Sequence, residues 1–198
     1  MHLPTRLRLV SSALAVALTA TACSATRQDG WRAYQRGDRD TALEDWTAVA
    51  ERGDVEAQYL VGLLLDEKRG TPEDDARAAF WYRAAADQGH AAAQNNLGLL
   101  CYAGRGVARS PAEAAKWYAR AAEQGFVAAQ NNLGILYLLG DGVPRDSERA
   151  RALLALAARG GDSKAQRTLA AAKLPEIAVA ANDERVVSSY EIALQPRP

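Results

Sequence analysis

A repeat of 36 residues dominates this sequence and restricts the folds that it can adopt more than any other feature. The segments 54–89, 90–125 and 126–161 follow one another without a gap, and the same residue types return at the same positions. The columns that agree in all three segments are Ala57, Ala93 and Ala129; Gln58, Gln94 and Gln130; Gly62, Gly98 and Gly134; Gly70, Gly106 and Gly142; Ala78, Ala114 and Ala150; Ala85, Ala121 and Ala157; and Gly89, Gly125 and Gly161. Agreement at a fixed period predicts a stack of like units that bury their apolar faces against one another.

Each unit is predicted to contain two helices. In the second unit, Ala93, Leu97, Leu100 and Cys101 fall at i, i+4, i+7 and i+8, which is one apolar stripe at helical period. A Gly-Arg-Gly loop follows at 104–106. The G-x-G pattern is a weak sign of a phosphate-binding loop here, because no strand precedes it. The interpretation that we favour is a turn in which glycine supplies positive φ.

The second helix of each unit carries its own start and stop signals. Residues 110–113 are Ser-Pro-Ala-Glu, which combines an N-cap, a proline at the first helical position and a capping-box acid. Asp74 and Asp146 occupy the same column as Ser110, and we expect them to cap the corresponding helices. Gly125 is placed to end the second helix of its unit in a left-handed conformation.

Partial units flank the three complete ones. Residues 30–53 match a second helix preceded by a shortened first helix, and residues 162–173 match a first helix alone. The sequence therefore predicts an all-α solenoid of helix-turn-helix repeats. The pattern stops at Leu174-Pro175, and the segment 174–198 is expected to cap the end of the solenoid or, alternatively, to bind a partner.

The first 22 residues differ from the rest of the chain. Arg6 and Arg8 precede residues 9–22, which are apolar or small and carry no charge. This run is shorter than the roughly 20 residues that a membrane-spanning helix needs. Residues 1–22 are therefore predicted to be a signal peptide of an exported protein.

Cys23 stands directly after the signal segment and is the candidate lipidation site. The tetrapeptide Ala-Thr-Ala-Cys at 20–23 resembles a bacterial lipobox, although Ala20 stands where leucine is usual. Residues 23–29 would then be the lipidated cysteine and its tether. Ser24 after the cysteine implies, by resemblance to Gram-negative lipoproteins, sorting to the outer membrane. Simple cleavage, which would give a soluble periplasmic or secreted protein, is the alternative.

The repeated elements A-x-x-L-G-x-x-Y, G-x-G-V, A-x-x-W-Y and A-A-x-Q-G resemble the Sel-one-like repeats, a branch of the tetratricopeptide-type helical repeats. The match extends from about residue 30 to about residue 172. The first unit departs from it, with Lys68 in place of the first loop glycine and Thr71 in place of the valine. The resemblance implies a right-handed α-solenoid that mediates protein–protein contacts.

The candidate binding residues lie on the first helices, off the apolar stripe. In tetratricopeptide-type repeats these helices line the concave surface, so the resemblance implies a partner site there. Asn96 and Asn132 resemble the asparagine that binds a peptide backbone in some of those proteins, whereas bridging of adjacent helices is the open alternative. Asn95 and Asn131 are expected to be the more exposed pair. The predicted partner-binding residues are Tyr59, Leu63, Asn95, Asn96, Leu99, Tyr102, Asn131, Asn132, Ile135 and Leu138.

The remaining chemically interesting side chains are better explained by structure. Trp81 and Trp117 are one repeat apart at helical spacing, which is typical of core residues. Cys101 falls in a core column, and His90 lies at a helix start, too far along the helix to activate the thiol. One histidine and one internal cysteine do not make a metal site, so no metal and no cofactor are expected. Lysine and arginine together number 24, as do aspartate and glutamate, so nucleic-acid binding is not expected.

The sequence therefore predicts a non-enzymatic scaffold or adaptor of the bacterial cell envelope. Its partners would be other envelope proteins or peptides, and its contact with the membrane would be the lipid anchor at Cys23. The alternative is a hydrolase of the cell wall or of β-lactams, because some cysteine-rich members of the resembled family have been linked to β-lactam binding. Those members carry a cysteine pair in each repeat, and this chain does not.

Overall fold

The computed structural model describes residues 26–68 and 71–172, and every regular element in those ranges is an α-helix. The predicted signal peptide, Cys23 and the segment 174–198 lie outside the described residues. Within the described part of the chain, no helix combines the length and the apolar character needed to cross a membrane. The helices are α1 Arg27–Gln35, α2 Arg39–Ala50, α3 Val55–Lys68, α4 Pro72–Asp87, α5 Ala91–Ala103, α6 Pro111–Glu123, α7 Val127–Leu139, α8 Ser147–Arg159 and α9 Ser163–Ala171.

Each helix packs mainly against the helices that precede and follow it in the chain. The pairs α3/α4, α5/α6 and α7/α8 form the three complete repeats, α1/α2 form the shortened one, and α9 stands as a first helix alone. The predicted all-α solenoid is therefore confirmed. Helix α1 begins at Arg27, ahead of Gly30, so residues 27–29 are helical rather than part of the expected tether.

The capping prediction is right for two second helices and wrong for one. The side chains of Ser110 and Asp146 accept backbone N–H groups at the starts of α6 and α8. In the first repeat, Asp74 is not the cap. Thr71 takes that role, with its hydroxyl accepting the N–H of Asp74 at 3.1 Å, and Pro72 occupies the first helical position. Helix α4 is consequently 16 residues long, against 13 for α6 and α8.

The repeated glycine of the first helix allows the second helix to approach closely. A Cβ atom at Gly98 would lie 2.6 Å from the ring of Tyr118, and one at Gly62 would lie 2.6 Å from the ring of Tyr82. Both tyrosines are almost fully buried by this contact. The absence of a side chain at this column therefore sets the distance between the helices of a repeat.

The second glycine of the G-x-G loop sets the distance between repeats. Gly106 has φ of 64°, and a Cβ there would lie 2.2 Å from the carbonyl oxygen of Asp75 in the preceding repeat. Arg105, between the two loop glycines, pairs with Asp75 and, at 2.8 Å, with Asp66. These contacts support the interpretation of the G-x-G loop as a structural turn. The loop packs on the previous repeat, and the ion pairs of Arg105 stabilise that contact.

Buried glutamines clamp consecutive repeats through hydrogen bonds that the repeat pattern alone did not reveal. Gln94 donates from Nε2 to the carbonyl of Ala86 at 3.0 Å, across the junction between α4 and α5. Gln124, at the end of α6, donates to Oε1 of the same Gln94 at 2.7 Å. The side chain thus ties the end of one repeat to both helices of the next, which explains why glutamine recurs at this buried column.

Candidate protein-interaction face

The candidate site is the surface that α3, α5 and α7 turn away from the second helices, here called the first-helix face. Leu63, Leu99 and Ile135 share one column of the repeat and run across it as an apolar row. Leu99 is 45% exposed, and the other two are half-buried. The structure therefore places these three predicted residues on one accessible surface.

Two apolar residues of this face were not predicted from the sequence. Leu139, at the end of α7, is 62% exposed. Trp31 of α1 is also exposed, and it follows Gly30, which abuts Trp46 as Gly62 abuts Tyr82. This correspondence places Trp31 at the position of Leu63 and extends the row by one helix. The signal was hidden because Trp46 follows Gly30 by 16 residues, whereas Tyr82 follows Gly62 by 20, so a 36-residue shift does not align α1.

The prediction that Asn95 and Asn131 are the exposed pair is wrong. They are 5% and 4% exposed, whereas Asn96 and Asn132 are half-buried. The physical reason is the contact between repeats. Positions 95 and 131 point toward the first helix of the adjacent repeat, a neighbour that the periodicity of a single helix does not reveal.

The four asparagines form a continuous chain of side-chain amides, here called the asparagine ladder. Asn132 donates from Nδ2 to Oδ1 of Asn95 at 3.0 Å, which joins α7 to α5. Asn95 donates to Oδ1 of Asn96 at 3.2 Å, and Asn131 donates to Oδ1 of Asn132 at 3.5 Å. For Asn132 the structure thus shows the bridging alternative. These hydrogen bonds make the face more rigid. A ligand could contact only the accessible parts of the Asn96 and Asn132 side chains.

Tyr59 lies at the other end of the face, in the column of Asn95, and is half-buried against His90. The two rings stack with centroids 4.5 Å apart. Burial raises the pKa of the Tyr59 hydroxyl, and the charge of Glu56 raises it further. His90 begins α5, as predicted: Nδ1 accepts the N–H of Ala93 at 3.1 Å, while Nε2 lies 3.3 Å from a carboxylate oxygen of Glu56. One ring nitrogen therefore caps the start of α5, and the other contacts a residue of α3 in the preceding repeat.

Tyr102 and Leu138, the last predicted residues of the face, occupy one column near the loops, and both are half-buried. Arg109 lies over the ring of Tyr102 at 5.6 Å from its centroid. The same guanidinium pairs with Asp141 of the next repeat at 3.6 Å. This end of the face therefore presents an aromatic and an aliphatic side chain beside an ion pair.

The titratable groups near the face have structural roles. Cys101 is 3% exposed, and burial raises the pKa of its thiol, which keeps it protonated and unreactive. Trp117 is buried and Trp81 is half-buried, in agreement with their assignment to the core. Among residues 26–68 and 71–172, no three His, Cys, Asp or Glu side chains are grouped to hold a metal ion.

The family model of the Sel1 repeat matches residues 55–90, 91–126 and 127–162, one residue out of phase with the segments defined above. This chain belongs to the Sel1 repeat family. Sel1 repeats generally act as scaffolds for protein–protein interaction rather than as catalysts. A comparison with curated protein sequences gave no match.

Solved structures that resemble this Sel1 repeat chain include the following two. A protective antigen of uropathogenic Escherichia coli with an SLR fold is 33% identical, with a TM-score of 0.72 over 89% of this chain and 40% of that one. A Sel1 repeat protein from Oxalobacter formigenes is 31% identical, with a TM-score of 0.66 over 84% of this chain and 70% of that one. The chain thus spans well under half the length of the E. coli protein.

Proposed function

We propose that this chain is a scaffold of the bacterial cell envelope that binds a peptide or a helix of another envelope protein on its first-helix face. The observation that carries the proposal is the apolar row of Leu63, Leu99 and Ile135, with Trp31 and Leu139 beyond it. Exposed apolar side chains at one column of successive repeats form a continuous strip, and such strips mark binding surfaces.

The rigidity of the face supports binding without large rearrangement. Beneath the row, the asparagine ladder fixes α5 against α7, and the buried glutamines fix each repeat on the previous one. A preorganised surface loses little conformational entropy when a ligand binds. The repeats therefore present Leu99 and Ile135 at a fixed spacing, which suits apolar side chains that recur along a bound segment.

Export and lipid anchoring complete the proposal. The lipobox-like tetrapeptide that ends at Cys23 supports acylation of that residue. Thr26, the N-cap of α1, follows only three residues later, which is about 10 Å of extended chain. An acylated Cys23 would thus hold the solenoid close to the membrane surface. The E. coli relative is a protective antigen, a description that suits an exported protein.

The test is an affinity purification from membranes of the native host with the full chain as bait. Leu99→Glu combined with Ile135→Glu places two charges on the row, and the proteins that co-purify at stoichiometric amounts should be lost. Phe80→Glu is the matched control, because Phe80 is 63% exposed but lies on the second helix α4. Equal recovery of every partner with the double variant and with the control would contradict the proposed face.

A further inference from the structure

The asparagine ladder ends in a buried acceptor that has no donor. Oδ1 of Asn131 is inaccessible to solvent and has no hydrogen-bond partner among the described residues. One repeat earlier, the same atom of Asn95 accepts the amide of Asn132. The residue that should supply the next donor is Thr168, whose hydroxyl instead donates to the carbonyl of Lys164 at 2.9 Å. The contact between α7 and α9 therefore lacks the amide bridge that joins α5 to α7, and an unpaired buried acceptor is unfavourable.

The surface around this acceptor is apolar on one side and basic on the other. Ile135 and Leu139 of α7 are the apolar residues, and Leu139 is one of the two most exposed large apolar side chains among the described residues. Lys164 and Arg167 of α9 are both exposed. A segment with apolar and acidic side chains would therefore complement this surface.

The chain itself continues from this point. Helix α9 ends at Ala171, which shares the column of Ile135, so the described part of the chain ends beside the apolar row. Ala170 of α9 stands in the column of Gly98 and Gly134, so α9 lacks the glycine that lets a second helix pack closely in the complete repeats. A Cβ at those two glycines would lie 2.6 Å and 2.9 Å from the side chain of the second helix.

The composition of residues 174–198 complements the surface. The segment carries eight large apolar residues, which are Leu174, Ile177, Val179, Val186, Val187, Tyr190, Ile192 and Leu194. It carries four acidic residues against two arginines, which are Glu176, Asp183, Glu184 and Glu191 against Arg185 and Arg197. Its 25 residues can extend for roughly 80 Å, while neighbouring packed helices lie only about 10 Å apart. Length therefore sets no limit on reaching Ile135 and Leu139.

We propose that residues 174–198 bind back onto the C-terminal end of the first-helix face. The apolar side chains of the segment cover Ile135 and Leu139, and its acids face Lys164 and Arg167. The contact is intramolecular and needs no external partner, so it holds or fails independently of the proposed function. Where both hold, a partner competes with the segment for the row.

Photo-cross-linking in the full-length mature chain tests the contact. Benzoylphenylalanine is introduced at Leu139 in one variant and at Phe80 in another, since the two positions are 62% and 63% exposed. After irradiation at low protein concentration, mass spectrometry should find intrachain cross-links from position 139 to residues 174–198, and none from position 80. Cross-links from position 139 only to another copy, or no cross-link to the segment, would overturn the proposal.

Discussion

The side-chain amide of Asn132 donates to Oδ1 of Asn95 across 3.0 Å and so joins the first helices of two adjacent repeats. Asn95 is buried, so loss of its partner leaves an acceptor without a donor and without water. Asn132→Ala is expected to lower the free energy of unfolding by about 1–3 kcal/mol. In a double-mutant cycle with Asn95→Ala, urea unfolding should give a coupling of about 1 kcal/mol. Additive effects of the two substitutions would contradict an energetically significant bridge.

The fold was predictable because its determinants repeat in the sequence. The 36-residue period, the Ser-Pro start at 110–111 and the loop glycines each specify a local conformation, and the structure reproduces all of them. The start of α4 was predicted wrongly, because Asp74 lies one repeat before Ser110 and was therefore expected to be the cap. The Thr71-Pro72 pair, three residues earlier, is the stronger start signal and sets the actual cap.

The site was less predictable, because its geometry depends on contacts between repeats. Helical spacing located the apolar row correctly, yet it ranked Asn95 as more accessible than Asn96. The difference arises from the adjacent first helix, which covers position 95. Trp31 was missed for a related reason: its register is set by the contact of Gly30 with Trp46 and not by the period of the repeat.

Substitution of the first-helix glycine tests the close packing within a repeat. In Gly98→Ala, the new methyl group would lie 2.6 Å from the Tyr118 ring. Overpacking of this kind costs about 1–3 kcal/mol, which exceeds the gain of at most about 1 kcal/mol in helix propensity. The variant should therefore unfold at a lower temperature in a circular-dichroism melt. Gly134→Ala should be milder, since the nearest atom is 2.9 Å away on the side chain of Leu154. A melting temperature at or above that of the parent in Gly98→Ala would contradict this account.

Two buried tyrosines predict a loss of stability at alkaline pH. Burial raises the pKa of Tyr82 and of Tyr118 well above the ordinary value of 10.0, and in Tyr82 the charge of Asp66 adds to the effect. Below pH 10 both hydroxyls are protonated in the folded and the unfolded chain. Above it the unfolded chain loses these protons first, so each residue lowers the free energy of unfolding by about 1.4 kcal/mol per pH unit.

Urea unfolding between pH 9 and pH 11 measures this slope. Tyr82→Phe and Tyr118→Phe should each reduce it by about one residue's share, and the double variant should reduce it by both. Because Phe keeps the ring that packs on Gly62 or Gly98, the comparison isolates the hydroxyl. A slope that is the same in the parent and in the double variant would show that these tyrosines do not titrate on unfolding.

The two cysteines of the chain provide a matched test of the proposed membrane anchor. If Cys23 is acylated, Cys23→Ser should move the protein from the membrane fraction to the soluble periplasmic fraction, because the acyl chains supply the membrane affinity. Cys101→Ala is the control: Cys101 is buried in the core, so the substitution should leave the protein in the membrane fraction. Detergent phase partitioning and the mass of the mature N-terminal peptide provide the measurements. A Cys23→Ser protein that has lost residues 1–22 and still stays with the membrane would show that the solenoid, and not a lipid, carries the membrane contact.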